Sequence, residues 1–151
     1  MSQTKTNARK AVVQALYQWQ MTGQSLLEIE LQFEEDERLK GVQKSYFKEL
    51  FHGIPQCVDT IDEVLGDFVD RPVDVIDPVE RAVLRLGVYE LMYRPEMPYR
   101  VVINESINLA KHFGADGSHR YVNGILDKVA QQKRAVEIKS KAQGERQKAQ
   151  E

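Results

Sequence analysis

The sequence predicts an all-α fold, and three observations predict it. Apolar residues recur at steps of three and four along almost the whole chain. No run alternates apolar and polar residues between hairpin turns, so no sheet is expected. Capping residues, prolines and glycines mostly fall between the periodic runs. The length of 151 residues, with 42% apolar and 29% charged residues, suits one globular domain. A catalytic domain with a separate regulatory domain is not expected at this length.

The first helix is read over 8–21, where Val12, Leu16 and Trp19 fall at i, i+4 and i+7 with Ala11 and Ala15 alongside. Asn7 is its candidate cap and Gly23 its stop. Ser25 and Glu28 read as a capping box opening a short helix that carries Leu26, Ile29 and Phe33. Residues 34–41 are polar and read as a loop. Phe47, Leu50, Phe51, Ile54, Val58, Ile61, Leu65 and Phe68 then form one long apolar stripe, hence one helix or two in line. Pro55 removes a backbone donor and crowds the preceding turn, so a kink or break is expected near 53–55. Residues 70–75, with Pro72, connect to the next helix. Its start is the clearest in the chain: Asp77 can cap, Pro78 suits the first helical position, and Glu80 sits near the positive helix end. Arg94 and Pro95 close it, and Pro98 opens a helix with Val102, Ile103, Ile107, Leu109 and Ala110. Gly114 is the candidate C-cap. Ser118 is the candidate cap of a last helix carrying Tyr121, Val122, Ile125, Leu126 and Val129. From Gln131 onward the chain is nearly all polar and is expected to be a frayed or disordered tail. The domain is therefore read as 1–130 and the tail as 131–151.

No stretch approaches the roughly 18 apolar residues of a membrane span, and the N-terminus lacks the apolar core of a signal peptide. A single cysteine, Cys57, rules out an intramolecular disulfide and fits a reducing cytoplasm. The net charge of −2 is unevenly spread. Residues 1–20 carry +3, 21–80 carry −10, 81–132 carry +2 and 133–151 carry +3. Basic ends suit a polyanion, and an acidic middle suits a basic protein.

Chemistry has little to work with. There is no glycine-rich phosphate loop and no nucleophile elbow. The three histidines and one cysteine show no zinc-ligand spacing. Asp59, Asp62, Glu63 and Asp67 share helical spacing without a nearby histidine and read as a solvated face. Neither catalysis, metal nor cofactor is expected. Binding has better support. Lys5, Arg9 and Lys10 lie within two turns, with Lys5 and Arg9 on one face, so this arm can neutralise phosphates or simply aid solubility. Phe113 and Tyr121 flank a glycine-containing turn with His119 and Arg120, leading to a helix start at Ser118. That pattern suits stacking of single-stranded RNA bases beside basic contacts. From spacing alone, two core anchors around an inter-helix turn are the better reading.

Four segments carry a resemblance. Ala11–Val–Val–Gln–Ala–Leu–Tyr–Gln–Trp19, Glu80–Arg–Ala–Val–Leu–Arg–Leu–Gly–Val–Tyr–Glu–Leu91, the run from Pro98 to Lys111, and Phe113–Gly followed by the run from Tyr121 to Lys128 occur in register. Together they resemble the NusB family of bacterial transcription antitermination factors, over roughly residues 8–130. The resemblance implies an all-helical fold of about seven helices in two packed subdomains. It implies binding to the boxA element of ribosomal RNA leader transcripts, together with NusE, a protein of the small ribosomal subunit, in an RNA polymerase antitermination complex. It implies no catalysis and no cofactor, and some family members form homodimers. Carried over residue by residue, the RNA contacts would be Lys5, Arg9, Lys10, Phe113, Ser118, Arg120 and Tyr121. The NusE contacts would be Glu80, Arg81 and Arg85, with Tyr17 in support. Arg9 and Tyr121 are expected to be largely exposed.

Two rival readings are kept. One is a helical protein-interaction adaptor that does not touch RNA. The other is the RNA-positioning module that precedes ribosomal RNA cytosine methyltransferases; a methyltransferase in its own right is not expected at this length.

Overall fold

In the computed structural model the backbone is described over residues 3–150 and the side chains over 3–146. The described residues form eight α-helices and no strand. They are α1 (Gln3–Thr22), α2 (Leu26–Glu35), α3 (Lys44–Gln56), α4 (Val58–Gly66), α5 (Pro78–Tyr93), α6 (Tyr99–Phe113), α7 (Ser118–Lys133) and α8 (Ala135–Gln150). A short 3-10 turn, Val73–Val75, joins α4 to α5. Among the described residues no helix is long and apolar enough to cross a membrane.

α5 is the centre. Every residue from Ala82 to Leu91 is buried, so the helix is enclosed on all sides instead of along one stripe. It packs against α1, α3, α4, α6 and α7. α1 runs antiparallel to it: Arg9 meets Glu90 near the end of α5, while Gln20 reaches Arg85 and donates to the Pro78 carbonyl at its start. α6 runs the same way as α1, with Thr6 reaching Glu105 near one end and Phe113 lying by Val13 and Tyr17 near the other. The helices group as α1–α3 and α4–α7, and α1 and α5 join the groups through one continuous apolar core.

The strongest local signals match the observed starts. Ser25 accepts from the Glu28 amide at 3.2 Å, and Asp77 accepts from the Val79 and Glu80 amides at 2.9 and 3.1 Å. Other boundaries differ for physical reasons. α1 begins well before Asn7, because the Asn7 amide is spent on the Gly41 carbonyl and the Gln43 amide bonds to the Thr4 carbonyl. The 36–43 connection therefore holds the first turn of α1 in place. α3 runs straight through Gly53 and Pro55 and breaks at Cys57. Pro55 stands in the last turn, where its missing donor costs one bond only, and buried Phe51 and Ile54 fix the turn before it. Ser118 is not the cap of α7. Gly117 takes that position at φ +83°, a left-handed conformation that glycine adopts without steric cost, and Ser118 is the first helical residue, buried.

The chain beyond Gln131 is the largest difference. α7 continues to Lys133, and Arg134 is buried. Its guanidinium donates to the carbonyls of Leu91 and Met97 at 2.8 Å and of Arg94 at 2.9 Å. These carbonyls belong to the end of α5 and the turn after it, where helix acceptors lack partners. Arg134 also pairs with Glu137, which accepts from the Tyr99 amide at the start of α6. Ile138 packs on the core. One arginine thus anchors a segment that composition alone reads as a loose tail.

Candidate nucleic-acid and protein interface

The face of α1 that looks toward α6 carries Val13, Tyr17 and Met21 in one line, four residues apart. With Phe113 from the end of α6, Val79 from α5 and Arg38, they line a groove of about 370 Å³. Tyr17 is 42% exposed and Met21 is 55% exposed, so the groove opens to solvent. Arg38 lies 3.9 Å from the Phe33 ring centre and donates to the Gln14 side chain. Lys10 continues the α1 line one turn toward the helix start. The result is an apolar, aromatic floor with the Arg38 cation at its edge.

Beside the groove lies a second set. The Tyr121 hydroxyl donates to Asp70 at 3.3 Å, and the Arg71 guanidinium sits 5.2 Å over the Tyr121 ring. Arg71 and Asp70 form an exposed ion pair, and the hydrogen bond from Arg71 holds the Asp70 carboxyl below its ordinary range. Partial burial pushes the Tyr121 hydroxyl up, so it stays a donor. Burial, followed by the nearby charge of Asp77, pushes the Glu80 carboxyl up. Tyr121 is half-buried, its ring packed against the core, which corrects the expectation of a largely exposed side chain; Arg120 is exposed. This site therefore offers stacking faces and both signs of charge.

The basic start of α1 is arranged otherwise. Lys5 is half-buried, with its ammonium 5.3 Å over the Tyr46 ring. Arg9 is 0% exposed, which corrects the expectation of a phosphate-contacting side chain there. Its Nε and Nη2 donate to the Glu90 carboxylate at 3.0 and 2.9 Å, and the Tyr46 hydroxyl donates to the same carboxylate. Burial opposes the Arg9 charge, but the hydrogen bond and charge of Glu90 outweigh it and raise the Arg9 pKa. Helical spacing puts Lys5 and Arg9 on one face; α3 and α5 pack on that face, so Arg9 points inward.

The structure brings some expected residues together and separates others. Tyr17, expected with the protein contacts, shares a groove with Phe113, expected with the RNA contacts. Lys5 stands apart from that groove, about 12–18 Å earlier along α1 at 1.5 Å per residue. Lys10 lies between them. Ser118 is buried beneath the turn and offers no exposed side chain. Among the expected partner contacts, Arg81 donates to the Asp74 carbonyl at 2.9 Å and is half-buried. Arg85 is buried and committed to Asp62 at 2.7 Å and Gln20 at 2.9 Å, so its guanidinium joins α5 to α4 and α1 instead of facing a partner. Arg38 and Arg71 were not anticipated. Arg38 meets Gln14 of α1 from the 36–43 connection and Arg71 meets Tyr121 from a distant turn, contacts that leave no periodic trace in the sequence.

Residues 6–131 match the model of the NusB family. The transcription antitermination protein NusB of Nitrosococcus oceani is 54% identical over 142 residues, which cover 94% of this chain and 95% of that protein. The protein of the same name from Pasteurella multocida is 50% identical over 126 residues, covering 83% of this chain and 88% of the relative. Among solved structures, T. maritima NusB is similar with a TM-score of 0.74 and 30% identity, covering 87% of this chain and 93% of that one. A complex of the antitermination factors NusB and NusE with dsRNA contains a chain similar at a TM-score of 0.74 and 26% identity, covering 85% of this chain and 97% of that one.

Proposed function

This chain belongs to the NusB family, and from that premise we propose that it is a transcription antitermination factor that binds RNA together with a NusE-type partner. It works by binding and not by catalysis. In finer terms, we propose that its RNA is the boxA element of ribosomal RNA leader transcripts, and that its place of action is the RNA polymerase antitermination complex in the cytoplasm.

One observation supports this reading above the others: the aromatic groove of Tyr17 and Phe113, with Arg38 in its lining and Lys10 about one turn earlier on α1. Bases of a single strand stack on exposed aromatic faces, and cations beside them take the phosphates. Phe113 and Tyr121 are the proposed stacking faces, with Lys5, Lys10 and Arg120 as phosphate contacts. Ser118 shapes the turn between them from beneath. Tyr17, Glu80 and Arg81 are the proposed partner contacts. Arg9 and Arg85 serve from inside, by holding α1 and α5 in the positions that set this surface. Tyr17 and Phe113 share one groove, so the proposed RNA and protein contacts adjoin, and two modest interfaces on one complex would reinforce each other through effective concentration.

A gel shift tests the reading, using a short single-stranded boxA RNA and a scrambled control, with and without purified NusE. Selective binding that tightens with NusE is expected. Equal binding to both RNAs, unmoved by NusE, would leave a generic polyanion binder and favour the helical-adaptor reading.

A further inference from the structure

The segment after residue 131 lies outside the part matched by the family model, and the RNA surface described above does not use it. Arg134 and Glu137 fix where it goes. Arg134 is tied to the end of α5, and Glu137 accepts from the Tyr99 amide, so α8 leaves the domain beside the start of α6. There the Arg100 guanidinium and the Lys141 ammonium both lie 5.8 Å from the centre of the Tyr99 ring. Two cations converge on one aromatic side chain from two helices. Arg100, Lys139, Lys141 and Arg146 are all exposed, and residues 133–151 carry six bases against three acids. Of the acids nearby, Glu137 is engaged by Arg134 and the Tyr99 amide, and Glu145 is near Arg100.

This cluster lies at the same end of the molecule as the start of α1. The Lys5 ammonium and the Arg94 guanidinium share the Tyr46 ring, and the Arg94 carbonyl accepts from Arg134. These contacts, through buried Tyr46 and Arg134 and half-buried Arg94, link Lys5 to the start of α8 at one end of the fold.

We propose that Arg100 and Lys141, set around Tyr99 and extended by Lys139 and Arg146 on α8, form a second phosphate-binding surface that lengthens the RNA footprint beyond the groove at Phe113. The proposal rests on the RNA-binding reading above. Its ligand is RNA backbone, recognised by charge and not by base sequence. It follows that contacts here add affinity only for an RNA long enough to run from the Phe113 groove past Lys5 to α8.

The test compares the full chain with the double variant Arg100→Gln/Lys141→Gln, using fluorescence anisotropy across a salt series. Two RNAs are used, a boxA-length strand and the same strand extended at both ends. Both positions are exposed, so the variant should keep its helical circular dichroism. For the extended RNA, losing two phosphate contacts should flatten the slope of log affinity against log salt by about 1.4 and weaken binding up to about 25-fold at 0.1 M salt, fading toward 1 M. Binding to the boxA-length strand should be unchanged. An unchanged extended-RNA titration overturns the second surface and leaves the boxA reading standing. Equal loss on both RNAs would place these residues in the primary site and also overturn it. Loss of NusE binding with RNA binding intact would make the cluster a protein contact. If the unmodified chain bound neither RNA, the parent reading would fall and this one with it.

Discussion

Arg9 and Glu90 form a bidentate ion pair with both side chains withdrawn from water: the exposures are 0% and 1%, and the shortest contact is 2.9 Å. Tyr46 donates its hydroxyl to the same carboxylate, and burial followed by the Glu90 charge pushes that hydroxyl far above its ordinary range. The phenol therefore remains a donor throughout the pH range in which the protein is handled. Removing Arg9 alone would leave a buried carboxylate without its cation. Arg9→Gln should lower unfolding stability by about 3–5 kcal/mol in urea denaturation. The double variant Arg9→Met/Glu90→Leu should regain most of that loss, because no unpaired charge is left behind. A loss of RNA binding in Arg9→Gln without any loss of stability would contradict an interior role.

The turn between α6 and α7 tolerates no added methyl at Gly114. A Cβ there would lie 2.7 Å from the Ala110 carbonyl oxygen, a backbone atom, and 2.7 Å from the Ser118 hydroxyl. Gly114→Ala should destabilise the protein by about 1–3 kcal/mol through overpacking. Hydrogen exchange should quicken first in this turn, between Phe113 and Tyr121.

Asp77 supplies two capping bonds to the central helix. Asp77→Ala should cost about 1 kcal/mol, read as a lower thermal midpoint, and Asp77→Ser should restore most of it.

Glu137 supplies a pH-dependent contribution. Burial raises its pKa, but the Tyr99 amide and Arg134 outweigh burial and lower it below the usual carboxylate value. An acid with a lowered folded-state pKa adds stability above its unfolded pKa and loses it as pH falls through the folded value. Glu137→Gln should therefore be less stable by about 1 kcal/mol at pH 7, and the gap should close as the pH drops through about 4 and below. A gap that stayed constant down to pH 2 would show that packing, and not charge, carries the difference.

Lys10→Glu and Tyr121→Asp should weaken RNA binding while leaving circular dichroism unchanged. For Lys10→Glu the salt slope should flatten by at least about 0.7, the share of one single-strand phosphate contact. For Tyr121→Asp the affinity loss should amount to about 1–3 kcal/mol, the value of one stacked base. An unfolded variant would assign the residue to the core.

The sequence by itself determined the helices and many of their ends. Steps of three and four, the Ser25 cap and the Asp77–Pro78 start are local features, set by backbone hydrogen bonding within a few residues, and the observed elements match them. The family was legible for the same reason, in short runs of residues in register. What the sequence left open was which face of each helix lies inside. Lys5 and Arg9 share a face by spacing, yet only the packing of α3 and α5 on that face turned Arg9 into a core residue. Arg85 likewise reads as a surface base until α1 and α4 close over it. The segment after Gln131 lacks an apolar stripe, and it is held mainly by polar contacts: the Arg134 guanidinium meets carbonyls about 40 residues away in the chain, and Glu137 accepts from the Tyr99 amide. The groove of Tyr17 and Phe113 arises because α6 runs alongside α1. Such contacts join residues far apart in the chain, and only the tertiary fold brings them within reach.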